Sequence, residues 1–264
     1  HEFLLDRMLE RLVRDKIQER LGGRLKYFIS GGAALNPEIG TFFMALGVKL
    51  LQGYGQTEAS PLISANRPNK IKIETVGPPV AGVEVRLADD GEILVRGDVL
   101  MKGYWRDEHS TAAAIQDGWL HTGDIGNCDK DGYITITGRK KEMIVNSGGE
   151  NIVPSRVEAL LTIEPEIEQA MVDGDQRPWL AAVIVPSAEA RETAESNEAL
   201  KLLIADTIER ANGRLSQIER VRRFVIADED FTTENSQLTA TLKVRRHIVK
   251  AEYQDRIAAL YNRQ

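Results

Sequence analysis

The chain of 264 residues is long enough to form one large domain or two domains of moderate size. Apolar residues make up 42% and charged residues 28%, a globular composition that excludes disorder along the whole chain. The 40 acidic and 34 basic residues give a net charge of -6, which argues against nucleic acid as a partner because its phosphates attract clustered positive charge.

Cysteine and histidine usage excludes two kinds of site. Cys128 is the single cysteine, so the chain has no internal disulfide and suits a reducing compartment. The 4 histidines lie far apart without cysteine partners at zinc-site spacing, so a local metal site built on them is not expected. No run approaches the roughly 18 apolar residues of a membrane span, and no signal peptide is recognisable. We expect a cytoplasmic protein and leave peripheral membrane association open.

The first part of the chain has the pattern of a parallel sheet. Apolar residues at helical spacing over 5–17 predict a helix that ends at the glycine pair 22–23. Residues 25–30 predict a buried strand, and residues 48–51 open a second strand. Between them, Asn36-Pro37 has the N-cap and the first-turn proline of a helix. Strand, helix, strand is the unit of a parallel sheet, which binds ligands at the carboxyl ends of its strands.

The second strand runs into Gly-Tyr-Gly-Gln-Thr-Glu at residues 53–58. Glycines let the backbone approach a ligand closely. Tyr54 offers a flat face to a purine, and Thr57 offers a hydroxyl to a phosphate oxygen. Glu58 offers a carboxylate to a hard cation such as magnesium. Taken alone, a plain β-turn with a surface glutamate explains the run equally well.

Two later parts of the chain have different patterns. Alternating apolar and polar residues and tight-turn signals between 76 and 139 predict a small antiparallel sheet or barrel. Its predicted strands are 83–87, 93–95, 119–125 and 133–137. The remainder has the pattern of a compact α+β unit of about 120 residues. Its predicted elements are a helix over 152–161, paired strands over 169–172 and 180–185, a helix capped by Asn197 and ending at Gly213, a strand over 221–226 and a helix over 244–261.

Four further motifs follow residues 53–58. They are Asp-Gly-Trp-Leu-His-Thr-Gly-Asp at 117–124, Gly-Arg-Lys-Lys-Glu at 138–142, Asn-Ser-Gly-Gly-Glu-Asn-Ile at 146–152 and Thr-Ala-Thr-Leu-Lys at 239–243. In this order the motifs resemble the AMP-forming adenylating superfamily, which contains acyl-CoA synthetases, peptide-synthetase adenylation domains and luciferases. Each motif is weak alone, but their order over nearly the whole chain makes the resemblance specific.

Within that superfamily the chain is most similar to long-chain fatty acyl-CoA synthetases. The similarity lies in residues 54–61, in the lysine-rich segment 138–143 and in residues 238–243. Many other relatives have glycine before the last lysine of the final motif. This chain departs from them with Leu242 at that position, which resembles the long-chain type.

The resemblance implies a fold class of α/β and α+β with three parts. These are a partial parallel-sheet subdomain for nucleotide and acyl group at 1–75, a small antiparallel β-barrel at 76–140 and a separate C-terminal α+β lid at 141–264. Lys141 matches the hinge of the lid. The family's phosphate loop, a Ser/Thr/Gly-rich run closing in Pro-Lys, should precede Gly31 and is absent from this sequence. We therefore expect the C-terminal portion of a longer enzyme, inactive without its upstream N-terminal domain.

The activity that the resemblance implies is an AMP-forming acyl-CoA ligase. A fatty acid and ATP, with Mg²⁺, would give acyl-adenylate and pyrophosphate, and coenzyme A would then take the acyl group and release AMP. Two alternatives stay open. One is adenylation for a carrier protein, and the other is a non-catalytic module that binds a nucleotide.

Catalytic roles follow from the resemblance for three residues. Thr57 would bond the α-phosphate, and Glu58 would hold the magnesium that accompanies the triphosphate. Lys243 would bridge the substrate carboxylate and the α-phosphate, where a positive charge lowers the repulsion between two anions. The plainer explanation of Lys243 is a basic, exposed helix face.

Binding roles follow in the same way. Tyr54 would stack on adenine, Asp124 would accept hydrogen bonds from both ribose hydroxyls, and the guanidinium of Arg139 would reach the ribose and phosphate. Taken alone, Asp124 is more simply interpreted as an ordinary turn residue, and Arg139 as part of a solvated run of charged residues. Trp119 and Tyr104 are interpreted as packing residues. The other expected binding residues are Gly31, Gly32 and Ala33 on the acyl and adenine side, Gly53, Gly55 and Gln56 in the nucleotide motif, and Gly148 and Gly149 beside the pantetheine arm.

Overall fold

The computed structural model describes residues 13–33 and 35–262. The described residues form two compact units, and the boundary in the sequence falls between Lys140 and Lys141. Each unit has sheets and a hydrophobic core of its own. The mixed architecture confirms the fold class predicted from the sequence.

The first unit begins with a small sheet. Its elements are α1 (Asp15–Arg20), β1 (Phe28–Ser30), α2 (Pro37–Ala45), β2 (Leu50–Tyr54) and β3 (Ser64–Ala65). β1 pairs in parallel with β2, and β2 pairs antiparallel with β3. The predicted parallel strand pair with its connecting helix is therefore present.

Local details of this sheet both support and correct the prediction. The side-chain oxygen of Asn36 accepts hydrogen bonds from the amides of Glu38 at 2.7 Å and Ile39 at 3.4 Å, so the predicted cap starts α2. The prediction of a buried strand over 25–30 is wrong. β1 begins only at residue 28, and Ile29 is 82% exposed because β1 has one neighbour among the described strands. The helix predicted over 5–17 lies mostly outside the described residues.

A curled antiparallel sheet completes the first unit. Its strands are β4 (Val83–Leu87), β5 (Glu92–Gly97), β6 (Ile115–Gln116), β7 (Trp119–Cys128) and β8 (Ile134–Arg139), with α3 (Glu108–Ala114) before β6. β7 pairs with β5 along one edge, and with β6 and then β8 along the other. Within the described ranges no pairing joins β4 to β8, so the predicted barrel is an open half-barrel. Its core includes Ile93, Leu120 and Ile134.

The second unit is built around one mixed sheet. Its elements are β9 (Ile144–Val145), β10 (Asn151–Ile152), α4 (Pro154–Leu161), β11 (Ile167–Asp173), β12 (Leu180–Pro186), α5 (Ala188–Thr193), α6 (Asn197–Asn212), β13 (Val221–Ile226), α7 (Arg246–Glu252) and α8 (Gln254–Tyr261). β12 is central, antiparallel to β11 and parallel to β13. Ala182 and Ile184 face a core shared with α4 and α6, whereas Val183 and Val185 face a core shared with α7 and α8.

Two predictions for the second unit need correction. The N-cap of α6 is Ser196, whose hydroxyl accepts a hydrogen bond from the amide of Ala199 at 3.2 Å, and not Asn197. The predicted helix over 244–261 is two helices, α7 and α8, which meet at Tyr253. No helix in the part of the chain that the structure describes is long and apolar enough to cross a membrane.

Candidate active site

The Gly-Tyr-Gly-Gln-Thr-Glu run lies at the carboxyl end of β2, as its position in the sequence predicts. A short 3₁₀ turn, Thr57–Ala59, follows it and leaves Thr57 exposed and Glu58 partly exposed. A Cβ at Gly55 would lie 1.7 Å from the carbonyl oxygen of Pro61, so only glycine fits there. The fold of the chain itself therefore requires this glycine.

Two strand ends meet beside this run. A Cβ at Gly31 would contact the carbonyl oxygen of Gly53 at 3.2 Å. Gly31, Gly32 and Ala33 are exposed just beyond β1, which is where a parallel pair presents its ligand-binding edge. The side-chain nitrogen of Gln56 is buried and has no hydrogen-bond partner among the described residues.

Tyr54 and Asp124, which lie 70 residues apart in the chain, meet in the interior of the first unit. The hydroxyl of Tyr54 donates a hydrogen bond to Oδ2 of Asp124 at 2.6 Å. The Tyr54 ring packs with Ile63 and other core residues and is 8% exposed. Burial raises the pKa of Tyr54 far above its ordinary value, and the Asp124 carboxylate adds to this. The phenol therefore stays protonated and acts as a donor.

Arg139 holds the other oxygen of Asp124. Its Nε donates to Oδ1 at 3.0 Å, because Asp124 on β7 is directly paired with Arg139 on β8. The Asp124 residue is 4% exposed, whereas half of the Arg139 side chain is open to solvent. Each carboxylate oxygen keeps a lone pair after these contacts, so Asp124 can still accept hydrogen bonds. The structure thus brings three of the predicted binding residues into one hydrogen-bonded group.

The structure adds Tyr104, a residue that the sequence analysis interpreted as packing. Its hydroxyl donates to Oε1 of Glu58 at 2.9 Å. The amide of Met101 also donates to the carbonyl oxygen of Glu58 at 2.8 Å, and Thr111 Oγ1 accepts the Tyr104 amide at 2.9 Å. Partial burial and the hydrogen bond to Glu58 raise the pKa of the Tyr104 hydroxyl. Glu58 and Tyr104 lie 46 residues apart, one in a turn and the other in a loop. No local sequence pattern predicts a contact over that distance, so the sequence analysis could not find it.

The donor set at Glu58 fits magnesium only in company with a substrate. In the described ranges no group of three or more histidine, cysteine or acidic residues could hold a metal ion. Mg²⁺ usually binds through one or two carboxylates together with waters and substrate phosphates. Glu58 supplies one such carboxylate, of which Tyr104 occupies one oxygen.

Lys243 lies in an exposed turn of the second unit. The Thr239 amide donates to the Lys243 carbonyl oxygen at 2.8 Å, and the Lys243 amide donates to Thr239 Oγ1 at 3.0 Å. Between them Leu242 has a φ of 60° and is 72% exposed. That left-handed conformation is the one that glycine adopts most readily. The turn therefore has the shape of a glycine turn although it carries leucine.

The loop with Gly148 and Gly149 is organised by one side chain of the second unit. Oδ1 of Asn146 accepts hydrogen bonds from the amides of Gly148 at 2.9 Å and Glu150 at 3.0 Å. Gly149 has a φ of +82°, and a Cβ there would have nothing within 4 Å. The loop is exposed, so a ligand could contact it. Lys141, the expected hinge, is exposed at the boundary between the two units.

Comparison with known proteins identifies the family. The profile of AMP-binding enzymes matches residues 3–105, and that of the AMP-binding enzyme C-terminal domain matches residues 141–264. This chain belongs to the AMP-binding enzymes. The superfamily predicted from the motifs is thereby confirmed.

Individual AMP-binding enzymes resemble the chain over nearly its whole length. A long-chain-fatty-acid–CoA ligase of Mycobacterium tuberculosis is 40% identical over 97% of this chain and 45% of that protein. A chloroplastic long-chain-fatty-acid–[acyl-carrier-protein] ligase of Arabidopsis thaliana is 33% identical over 98% of this chain and 38% of that protein. The chain thus spans less than half the length of these relatives.

Solved adenylation domains share the fold. The domain from the carboxylate reductase of Mycobacterium chelonae has a TM-score of 0.81 and 29% identity, over 96% of this chain and 41% of that one. The corresponding domain of Segniliparus rugosus, solved with AMP and a co-purified carboxylic acid, has a TM-score of 0.80 and 30% identity, over 96% of this chain and 42% of that one.

Proposed function

We propose that the protein is an AMP-forming acyl-CoA ligase that activates a fatty acid. The observation that carries the proposal is the buried Asp124 carboxylate, held by Tyr54 and Arg139 in an AMP-binding enzyme. The fatty acid as substrate and CoA as acceptor rest on the similarity to long-chain-fatty-acid–CoA ligases.

The nucleotide is proposed to bind against the first unit. Asp124 accepts hydrogen bonds from the two ribose hydroxyls with its remaining lone pairs, and Arg139, whose side chain is half exposed, reaches the ribose and α-phosphate with its guanidinium. Stacking of adenine on Tyr54 stays a prediction. Since little of that ring reaches solvent, adenine would meet only its open part.

Glu58 is proposed to hold Mg²⁺ together with the phosphates of ATP, and Thr57 to donate its hydroxyl to the α-phosphate. Bound Mg²⁺ would neutralise charge on the phosphates and so make pyrophosphate a better leaving group. Tyr104 keeps the Glu58 carboxylate in one orientation through its hydrogen bond.

In the first step, a carboxylate oxygen of the fatty acid attacks the α-phosphorus, and pyrophosphate leaves with the electron pair of the broken bond. Two anions meet here, so the ammonium of Lys243 stabilises the transition state by lowering their repulsion. In the second step, the CoA thiol gives its proton to water, its sulfur attacks the acyl carbon, and AMP leaves with the bonding electrons. Gly148 and Gly149 give the pantetheine arm room, and Lys141 is the proposed hinge between the steps.

A second candidate is the same adenylation with a carrier protein as acceptor. The similarity to a long-chain-fatty-acid–[acyl-carrier-protein] ligase favours it. Supplying the acyl-adenylate and measuring transfer to free CoA against transfer to a carrier protein separates the two.

Calorimetry with AMP and with a hydrolysis-resistant acyl-adenylate analogue tests the proposal in the full-length protein. We expect both ligands to bind, and Asp124→Asn to weaken both by at least about tenfold, because a buried partner of the ribose is lost. Fatty-acid-dependent release of AMP in the presence of CoA completes the test. Binding without turnover would identify a nucleotide-binding module instead.

A further inference from the structure

Glu92, the first residue of β5, has a buried carboxylate that no step above uses. The residue is 5% exposed. Its Oε1 accepts the amide of Gly123 at 2.8 Å. Its Oε2 lies 3.2 Å from Nδ1 of His121 and 3.2 Å from the ammonium of Lys140. A buried charge is tolerated only when it is paired and hydrogen-bonded, and Glu92 meets that condition.

The partners of Glu92 are the immediate neighbours of the nucleotide pair. Gly123 precedes Asp124 in the chain, and Lys140 follows Arg139. The Lys140 amide also donates a hydrogen bond to the carbonyl oxygen of Gly123 at 2.8 Å. This hydrogen bond joins the residue after β8 to β7, directly beside Asp124 and Arg139. One carboxylate on β5 therefore contacts Gly123 on β7, next to Asp124, and Lys140, the residue that follows Arg139 at the end of β8.

Gly123 is the place where such a contact matters most. Its φ of +72° lies in the left-handed region, and a glycine there has the widest choice of backbone conformations. The hydrogen bond from its amide to Glu92 restricts that choice directly before Asp124. The side chain of Lys140 is restrained as well, because its ammonium pairs with Asp90 at 2.5 Å in addition to Glu92.

Glu92 is in the charged state that these contacts need. Burial opposes ionisation, but the Gly123 amide, His121 and Lys140 outweigh it and hold the pKa of Glu92 below its usual range. The carboxylate is therefore an anion near neutral pH, able to hold the Lys140 ammonium.

We propose that Glu92 is a positioning residue, which through Gly123 and Lys140 sets the orientation of Asp124 and Arg139 for the ribose of the nucleotide. The inference rests on the proposed function, since it assumes that Asp124 binds ribose. If Glu92 only stabilised the half-barrel, its replacement would not weaken the contacts with the ribose more than other contacts with the nucleotide.

The test compares AMP with 2′,3′-dideoxy-AMP, which lacks both ribose hydroxyls, by calorimetry on the full-length protein. Glu92→Leu leaves the Gly123 amide and the Lys140 ammonium without their partner, and we expect about tenfold weaker binding of AMP. Glu92→Gln keeps an oxygen for Gly123 but loses the charge, and we expect about a threefold loss. The dideoxy nucleotide keeps only the α-phosphate contact of Arg139, so we expect its affinity to fall clearly less than that of AMP in each variant.

Glu84→Gln is the matched control, because Glu84 on neighbouring β4 is exposed and paired with Arg96. It should bind both nucleotides like the wild type. Equal losses for the two nucleotides, or no loss for AMP, would overturn the inference. If Glu92→Leu does not fold, Glu92→Gln with the same two nucleotides decides. A wild-type protein that does not bind AMP would overturn the proposed function itself, and the inference with it.

Discussion

The hydroxyl of Tyr104 gives the first prediction at the scale of a residue. Tyr104→Phe removes the donor that orients the Glu58 carboxylate. Loss of a hydrogen bond to a metal-binding carboxylate typically weakens metal affinity tenfold or more, so the Mg²⁺ concentration for half-maximal adenylation should rise about tenfold. Tyr133→Phe is the control, since its hydroxyl donates to the Lys70 carbonyl oxygen instead. An unchanged Mg²⁺ requirement in Tyr104→Phe would show that Glu58 does not depend on this contact.

The second prediction concerns Lys243. Lys243→Ala should slow adenylation by about 100-fold or more, a size typical for loss of one transition-state charge partner. Thioester formation from supplied acyl-adenylate should change far less, because the acyl group is no longer an anion. The two half-reactions are measured separately in the full-length protein. Lys201→Ala, an exposed lysine on α6, is the control, and equal losses in both half-reactions would refute the assignment.

At the scale of an element, the turn around Leu242 stores backbone strain. A residue with a side chain costs roughly 1–2 kcal/mol in the left-handed region. Leu242→Val should lower the free energy of unfolding by about 1 kcal/mol more, since branching at Cβ restricts the backbone further. Leu242→Gly should be close to neutral, because relief of strain offsets the greater freedom of the unfolded chain. Thermal unfolding of both variants checks this, and a markedly destabilised Leu242→Gly would contradict it.

The elements also mark how far the sequence could be interpreted. Local sequence patterns predict the start of α2 at Asn36-Pro37 and the strands β11, β12 and β13. The order of the motifs along the chain identifies the family. Contacts between distant segments do not follow from local patterns. Glu92 and Gly123 are 31 residues apart and meet only because β5 and β7 pair with a register shift. The exposure of β1 was mispredicted because burial of a strand depends on its neighbours and not on its own apolar residues.

At the scale of the whole molecule, the family resemblance predicts that the 264-residue chain alone has no appreciable ligase activity. The sequence has no Ser/Thr/Gly-rich run closing in Pro-Lys before Gly31, and that run is the loop expected to hold the β- and γ-phosphates. Placement of reacting groups is worth roughly 7–11 kcal/mol of barrier, and losing half of it lowers the rate by several powers of ten at about 1.4 kcal/mol per tenfold. AMP formation from a fatty acid, Mg-ATP and CoA is the assay. Turnover near about one per second, within the ordinary enzyme range, would contradict the prediction.

The exposed apolar residues of the first unit lead to a prediction for the same chain in solution. Ile29 on β1 and Phe42 on α2 are both largely exposed, and large exposed apolar side chains favour association. We expect the chain to self-associate and the pair Ile29→Lys and Phe42→Lys to shift it towards monomer. Size-exclusion chromatography with light scattering measures this. Leu202→Lys, at an exposed leucine of the second unit, is the control, and an equal shift there would contradict the assignment to β1 and α2.

The central strand β12 has a consequence for how such proteins diversify. Both of its faces are covered by helices that come from residues 141–264, so this segment encodes the two cores of the second unit within one continuous stretch. Genetic recombination at the Lys140–Lys141 junction would exchange that stretch between relatives without repacking the interior of either unit. Lys243 and the Gly148–Gly149 loop would then be inherited together from one parent gene. Tyr54, Asp124 and Arg139 would come from the other parent gene.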